Sequence, residues 1–189
     1  LIYENVKIRD FDVAALAKDK DNQLAVGLDF GFIHDPTALC VSYINESKKE
    51  IYIFDEFYEK GLVTRQVADM LQKKGYAKAP IIADSAEARL IYELKTEHGI
   101  TRIKPSRKGR DSVKAGISKL QGYKIYVHPK CTSIMDEFYS YCYVRDKDGK
   151  WTNEPEDANN HLMDALRYSL QVIEVQKVKV RNKERMGFY

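Results

Sequence analysis

The stretch QLAVGLDFGFIHDPTALCVSYINESKKEIYIFDEFY, Gln23 to Tyr58, decides the fold. QLAVGLDFG, ALCVSYI and EIYIFDEFY each carry the spacing of a β-strand, and the polar turn NESKK separates the last two. Connections this short join strands that run antiparallel, so the segment predicts a three-stranded meander. Working outward, Val63 to Lys74 repeats apolar residues at helical spacing (Val67, Met70, Leu71) and ends at Gly75. APIIADS is a short apolar strand closed by Asp84, and AEARLIYELKTEHG is a helix ending at Gly99. ITRIKPS, DSVKAGISKLQG and KIYVHP continue the alternation as strand, helix and strand. CTSIMDEFYSYCY begins as a helix or a mixed segment, and YCYVRDKDGKW places Asp-Gly between aromatic flanks, a hairpin signal. A final helix follows, within EPEDANNHLMDALRYSL, Glu154 to Leu170.

Strands that start antiparallel and then alternate with helices predict an α/β fold with a mixed central sheet flanked by helices. The expected division is a leading arm or linker over residues 1–22, one folded unit over 23–175, and a basic tail over 176–189 that includes KVKVRNKER. With 189 residues, 44% hydrophobic and 31% charged, the chain has the composition of a soluble globular domain. No apolar run approaches the ~18 residues of a membrane span, and LIYENVKIRDF lacks the regions of a signal peptide. Cys40, Cys131 and Cys142 have no C-x-x-C spacing and fall on apolar segments, which reads as reduced core cysteine rather than a zinc site or disulfide framework. The net charge of +3 identifies no partner. Its distribution is uneven, because Arg102, Lys104, Arg107, Lys108, Arg110, Lys114 and Lys119 stand against Asp111 alone, a segment suited to a polyanion.

Three aspartates interrupt apolar patterns. Asp29 lies within the first strand, Asp84 ends IIAD, and Asp164 lies inside the final helix. An unpaired buried carboxylate is costly, so each requires a partner. If the strands of Asp29 and Asp84 are neighbours, and the last helix packs across their ends, the three converge. Like charges so placed raise one another's pKa unless a cation binds, and oxygen ligands without cysteine favour magnesium or manganese. Asp84, ahead of SAEAR, also suits a helix or turn cap. On the last helix Leu162, Leu166, Leu170 and Ile173 form one stripe, with His161, Asp164 and Tyr168 nearly opposite. His161 is placed to bind metal, orient water or hydrogen-bond a carboxylate, and Asp157 or a neighbouring Asn to cap the helix. Glu56 is a lesser candidate ligand, since it and Asp55 point to opposite faces. Asp35 reads as a turn residue, and His34, His98 and His128 as surface residues. Tyr139, Tyr141, Tyr143 and Trp151 suit cross-strand packing better than a ligand surface.

GLDFGFIHDPTAL, IIADSAEA and NNHLMDALRYSL, in this order, resemble the C-terminal nuclease domain of the large terminase subunit of tailed double-stranded DNA bacteriophages, from about Ala25 to Val175. The resemblance implies an RNase H-like fold and a two-metal-ion endonuclease that cuts concatemeric viral DNA during packaging with little sequence specificity. It carries the site onto Asp29, Asp84 and Asp164, with Asp29 bridging two Mg2+ or Mn2+ ions, Asp84 and Asp164 holding one each, and His161 as accessory. It makes Lys104, Arg107, Lys108, Arg110 and Lys114 contacts for the DNA backbone. The implied partners are double-stranded DNA, the packaging ATPase domain of the full-length chain, the small terminase subunit and the portal protein, in the cytoplasm of an infected bacterium, with no membrane. No G-x-x-x-x-G-K-[ST] occurs, so the chain reads as a nuclease fragment without the ATPase. A Holliday-junction resolvase or integrase shares the strand order, and a non-catalytic DNA-binding or capsid-docking module is the reading without chemistry. An actin-like ATPase lobe shares the loop after Asp29 but needs further glycine-rich motifs.

Overall fold

A computed structural model of the chain describes residues 1–109 and 111–173. Arg110 and the expected basic tail, 176–189, therefore lie outside the described residues. The meander is present as β2 (Asn22–Asp29), β3 (Pro36–Asn45) and β4 (Glu50–Lys60), paired antiparallel in sequence order. Then come α2 (Thr64–Lys73), β5 (Ile81–Ala83), a 3-10 turn over Ser85–Glu87, α3 (Ala88–Thr96), β6 (Ile103–Pro105), α4 (Ser112–Gln121), β7 (Lys124–Val127) and α5 (Thr132–Ser140). A separate hairpin, β8 (Tyr143–Arg145) and β9 (Trp151–Pro155), leads into α6 (His161–Ser169). The segment from Cys131, ambiguous in sequence, is thus helical through Ser140.

The leading residues do more than link. Val6–Ile8 forms β1, α1 spans Val13–Lys18, and the sheet order is β1-β7-β4-β3-β2-β5-β6. Residues 1–22 were expected outside the core, yet β1 pairs in parallel with β7 at the sheet edge, and Ile2 and Tyr3 are buried. A three-residue strand with outward-facing lysine and isoleucine has too weak an alternation to be read from the sequence.

Because helices cover both faces, the central strands are apolar on both sides. Ala25, Ala38, Cys40, Ile51 and Ile53 join Ile117, Ile134, Leu162 and Leu166 on the face of α4, α5 and α6. Val26, Leu28, Leu39 and Val41 join Val67, Leu71, Ile91 and Leu94 on the face of α2 and α3. Side chains alternate along a strand, so Gly27 and Asp29 share the face of Ala25 and look toward α6. β5 lies parallel to β2, with Leu28 opposite Ala83, so Asp84 leaves the sheet beside the end that carries Asp29. Asp55 and Glu56 do face opposite ways. Asp55 accepts from Lys74 and Tyr76, whereas Glu56 accepts from the Ser133 and Ile134 amides and so caps α5 rather than joining a metal site.

One glycine determines how closely α6 sits. A Cβ at Gly27 would collide with the Ala165 carbonyl oxygen, lie 2.6 Å from its carbon and 3.1 Å from Ser169 Cβ. Backbone thus packs on backbone, and neither side can yield by a rotamer change. Gly27→Ala is therefore expected to lower stability by about 1–3 kcal/mol in denaturant unfolding, the range of overpacked core sites. Ala25→Gly, a change on the same face without overpacking, is the comparison; equal stability of Gly27→Ala and the parent chain contradicts the close contact.

Candidate metal and nuclease site

Three elements present the acids. Asp29 ends β2, Asp84 follows β5, and Asp164 stands in the first turn of α6, whose residues pack on β2, β3 and β5. The structure brings the sequence-predicted residues to one end of the sheet. His161 Nδ1 lies 3.1 Å from Asp29 Oδ2, and its Nε2 lies 3.7 Å from Asp35 Oδ1. Asp35, read as a turn residue, so stands at the rim of the site, with its side chain mostly exposed.

The electrostatics confirm that the acids are neighbours. Asp29 is only 7% exposed, and its carboxyl is pushed up to about 6, first by burial and further by the charges of Asp164 and Asp84; the hydrogen bond from His161 works the other way. His161 is raised above the ordinary imidazole value, chiefly by its hydrogen bond with Asp29 and against the effect of burial. The Tyr168 hydroxyl is raised by burial and by Asp164, Asp29 and Asp84 in turn. Such a cluster lacks positive charge.

Two basic residues supply part of it. Lys108 Nζ is 2.5 Å from Asp84 Oδ1, the same oxygen that accepts from the Ala86 amide at 3.0 Å. Asp84 therefore caps the 3-10 turn, as its position before SAEAR allowed, while facing the site. Arg167 Nη2 is 2.5 Å from Asp164 Oδ1. Of the other basic residues, Lys104 lies exposed on β6, Arg107 exchanges backbone hydrogen bonds with the Gln171 side chain, and Lys114 pairs with Glu154. Of the described residues of the basic segment, Lys108 is the one placed against a predicted site carboxylate.

Sequence reasoning missed Glu137 and Arg167. Glu137 of α5 is buried and accepts from the Met163 amide at 2.9 Å, so it caps α6 from another helix. Burial pushes its carboxyl up to about 7, against hydrogen bonds from the Met163 and Leu162 amides. Asn160 occupies the N-cap position, but its side chain makes no cap hydrogen bond and is directed to Tyr141. No local signal marks Glu137, because its partner lies 26 residues away. Arg167 is legible in principle, three residues after Asp164 on a helix. In the hairpin, Arg145 lies opposite Trp151 with its guanidinium 4.1 Å from the ring centre, a cross-strand contact, whereas Tyr139 lies exposed on α5 and Tyr141, at the end of that helix, stacks on Tyr3.

The donor set suits a hard divalent cation, being carboxylate oxygens and one imidazole with no thiolate. Among the described residues, the histidine and carboxylate ligand atoms that all lie within 4.8 Å of one another belong to Glu93, Glu97 and His98, at the end of α3. Asp29, Asp84 and Asp164 are more widely spread.

A sequence model of the terminase RNase H-like domain matches residues 29–172. The terminase large subunit of Bacillus phage SPP1 is 36% identical over 171 residues, 89% of this chain and 40% of that protein. The chain accordingly spans well under half the length of the curated relatives it matches. The crystal structure of the SPP1 g2p large terminase nuclease domain with bound Mn superposes with a TM-score of 0.81 over 89% of this chain and 97% of that one, at 36% identity. The large terminase nuclease of thermophilic phage G20c with bound magnesium shares the fold, with a TM-score of 0.56 at 20% identity over 80% and 82% of the two chains.

The raised Asp29 carboxyl predicts a measurable stability cost. Its folded value exceeds the unfolded one, so its favourable contribution is complete below pH ~4 and is lost as pH rises through about 6. Asp29→Asn is expected to stabilise the metal-free protein by on the order of 2 kcal/mol at pH 7.5, with the gain vanishing below pH ~4. Thermal unfolding at both pH values checks this, and a gain that persists at pH 3.5 contradicts it.

Proposed function

The chain belongs to the terminase RNase H-like domain family, and we propose that it is a metal-dependent endonuclease that cuts double-stranded viral DNA during genome packaging by two-metal hydrolysis with little sequence preference. The observation that carries this reading is the Asp29 carboxylate, hydrogen-bonded to His161 and raised first by burial and then by the charges of Asp164 and Asp84. Asp29, Asp84 and Asp164 would hold the Mg2+ or Mn2+ ions. Bound there, the cations supply an activated water and stabilise charge on the phosphate and the leaving 3′ oxygen.

The chain's own residues do the rest by placement. His161, hydrogen-bonded through Nδ1 to Asp29 Oδ2, fixes the orientation of that carboxylate. Glu137 anchors the first turn of α6 and so keeps His161 and Asp164 in register with β2. Lys104, Arg107, Lys108, Arg110 and Lys114 would meet DNA phosphates, each contact adding salt-sensitive, sequence-independent affinity. Lys108 and Lys114 already face Asp84 and Glu154, so a phosphate has to exchange with a carboxylate at each. In the full-length protein the packaging ATPase, small terminase subunit and portal protein would bring DNA to this end of the sheet.

Supercoiled plasmid incubated with the purified chain and Mn2+ is expected to be nicked and linearised, and Asp29→Ala or Asp164→Ala to lower the rate by at least ~100-fold; parent and variants of equal activity sink the assignment. DNA binding in Ca2+ gives a second check. Lys104→Ala with Arg107→Ala is expected to weaken binding for all sequences alike and to flatten the log K against log salt slope by about two. An unchanged slope places the DNA elsewhere.

A further inference from the structure

Asp84 and Asp164 each meet a cationic side chain, but the two contacts differ in kind. Lys108 reaches Asp84 on a flexible stem and is 45% exposed, so it exchanges readily with solvent or another cation. Arg167 is 9% exposed and fixed on several sides. Its stem fills a notch on α4 at Gly116, where a Cβ would collide with Arg167 Cγ and Cδ. Its guanidinium lies 5.1 Å from the centre of the Tyr168 ring. Among the described residues, its guanidinium donates to Asp164 Oδ1.

We propose that Arg167 is a positioning residue that leaves Asp164 a single oxygen for metal, and so biases the site toward small six-coordinate cations over calcium. The inference rests on Asp164 being a metal ligand. Mg2+ takes octahedral sites at 2.0–2.1 Å, whereas Ca2+ takes 6–8 oxygens at 2.3–2.6 Å and accepts a carboxylate through both oxygens. The hydrogen bond of a buried guanidinium to Oδ1 fixes the carboxylate plane and draws charge from that oxygen, so Asp164 favours coordination through its other oxygen. A small cation needs no more from it, and a large cation loses a contact. Lysine cannot reproduce the planar fork or its fixed direction. Gly116 belongs to the device, because only a residue without Cβ leaves room for the Arg167 stem.

The test is a pair of calorimetric titrations, with Mn2+ and with Ca2+, on the whole chain and on Arg167→Met, Arg167→Lys and Gly116→Ala, each first checked for folding by circular dichroism. The expected result is a fall of roughly tenfold in the Mn2+ over Ca2+ affinity ratio for Arg167→Met, with smaller falls for the other two variants. A merely structural role shifts both affinities together, and an unchanged ratio overturns the proposal. If Arg167→Met does not fold, the ratios for Arg167→Lys and Gly116→Ala decide in the same way. Asp164→Asn separates the two readings. A parent Mn2+ isotherm that this change leaves intact overturns Asp164 as a ligand, whereas an Asp164-dependent isotherm with constant ratios overturns only the role of Arg167.

Discussion

The contact between Gly27 and Ala165 is the constraint on which the rest of the structure depends. A strand and a helix normally meet through side chains, which set their separation. At Gly27 there is no side chain, and the α6 backbone at Ala165 comes directly onto the strand. Asp29 is two residues along the same face of β2, and Asp164 immediately precedes Ala165. Their placement follows from a contact between main chains, which no rotamer change loosens. His161, one turn before Ala165, reaches Asp29 for the same reason.

That constraint creates an electrostatic difficulty as well as a site. Burial and the neighbouring acids leave Asp29 easier to protonate than an ordinary carboxylate. The surrounding polar groups answer this unevenly. His161 holds Asp29, a buried Arg167 holds Asp164, and a more exposed Lys108 holds Asp84. A site assembled in this way has stability to gain from any divalent cation that binds it, by simple linkage. The Glu137 carboxylate, buried beneath the first turn of α6, helps to keep that turn in place despite the repulsion above it.

Much of this was legible in sequence for identifiable reasons. Asp29, Asp84 and Asp164 stand out because each breaks an apolar pattern, and a mixed α/β sheet allows the strands carrying the first two to be neighbours. The resemblance to terminase nuclease domains named the same residues, and the family match agrees with it. The partners of those acids were less visible. Glu137 caps a helix from a distant one, Lys108 was assigned to DNA although it faces Asp84, and Gly27 reads as an ordinary strand glycine until α6 is in place. Ile2 and Tyr3 were missed because their burial depends on the end of α5, where Tyr3 packs on Phe138 and Tyr141 and the Ile2 amide donates to the Tyr141 carbonyl. In each case the deciding neighbour is remote in sequence.

The most direct test of the account is an anomalous difference map from a crystal of this chain soaked in Mn2+. The account predicts density in contact with Asp29, shared with Asp84 and Asp164, and Lys108 displaced from Asp84. Density confined to Glu93, Glu97 and His98, with none at Asp29, would contradict it.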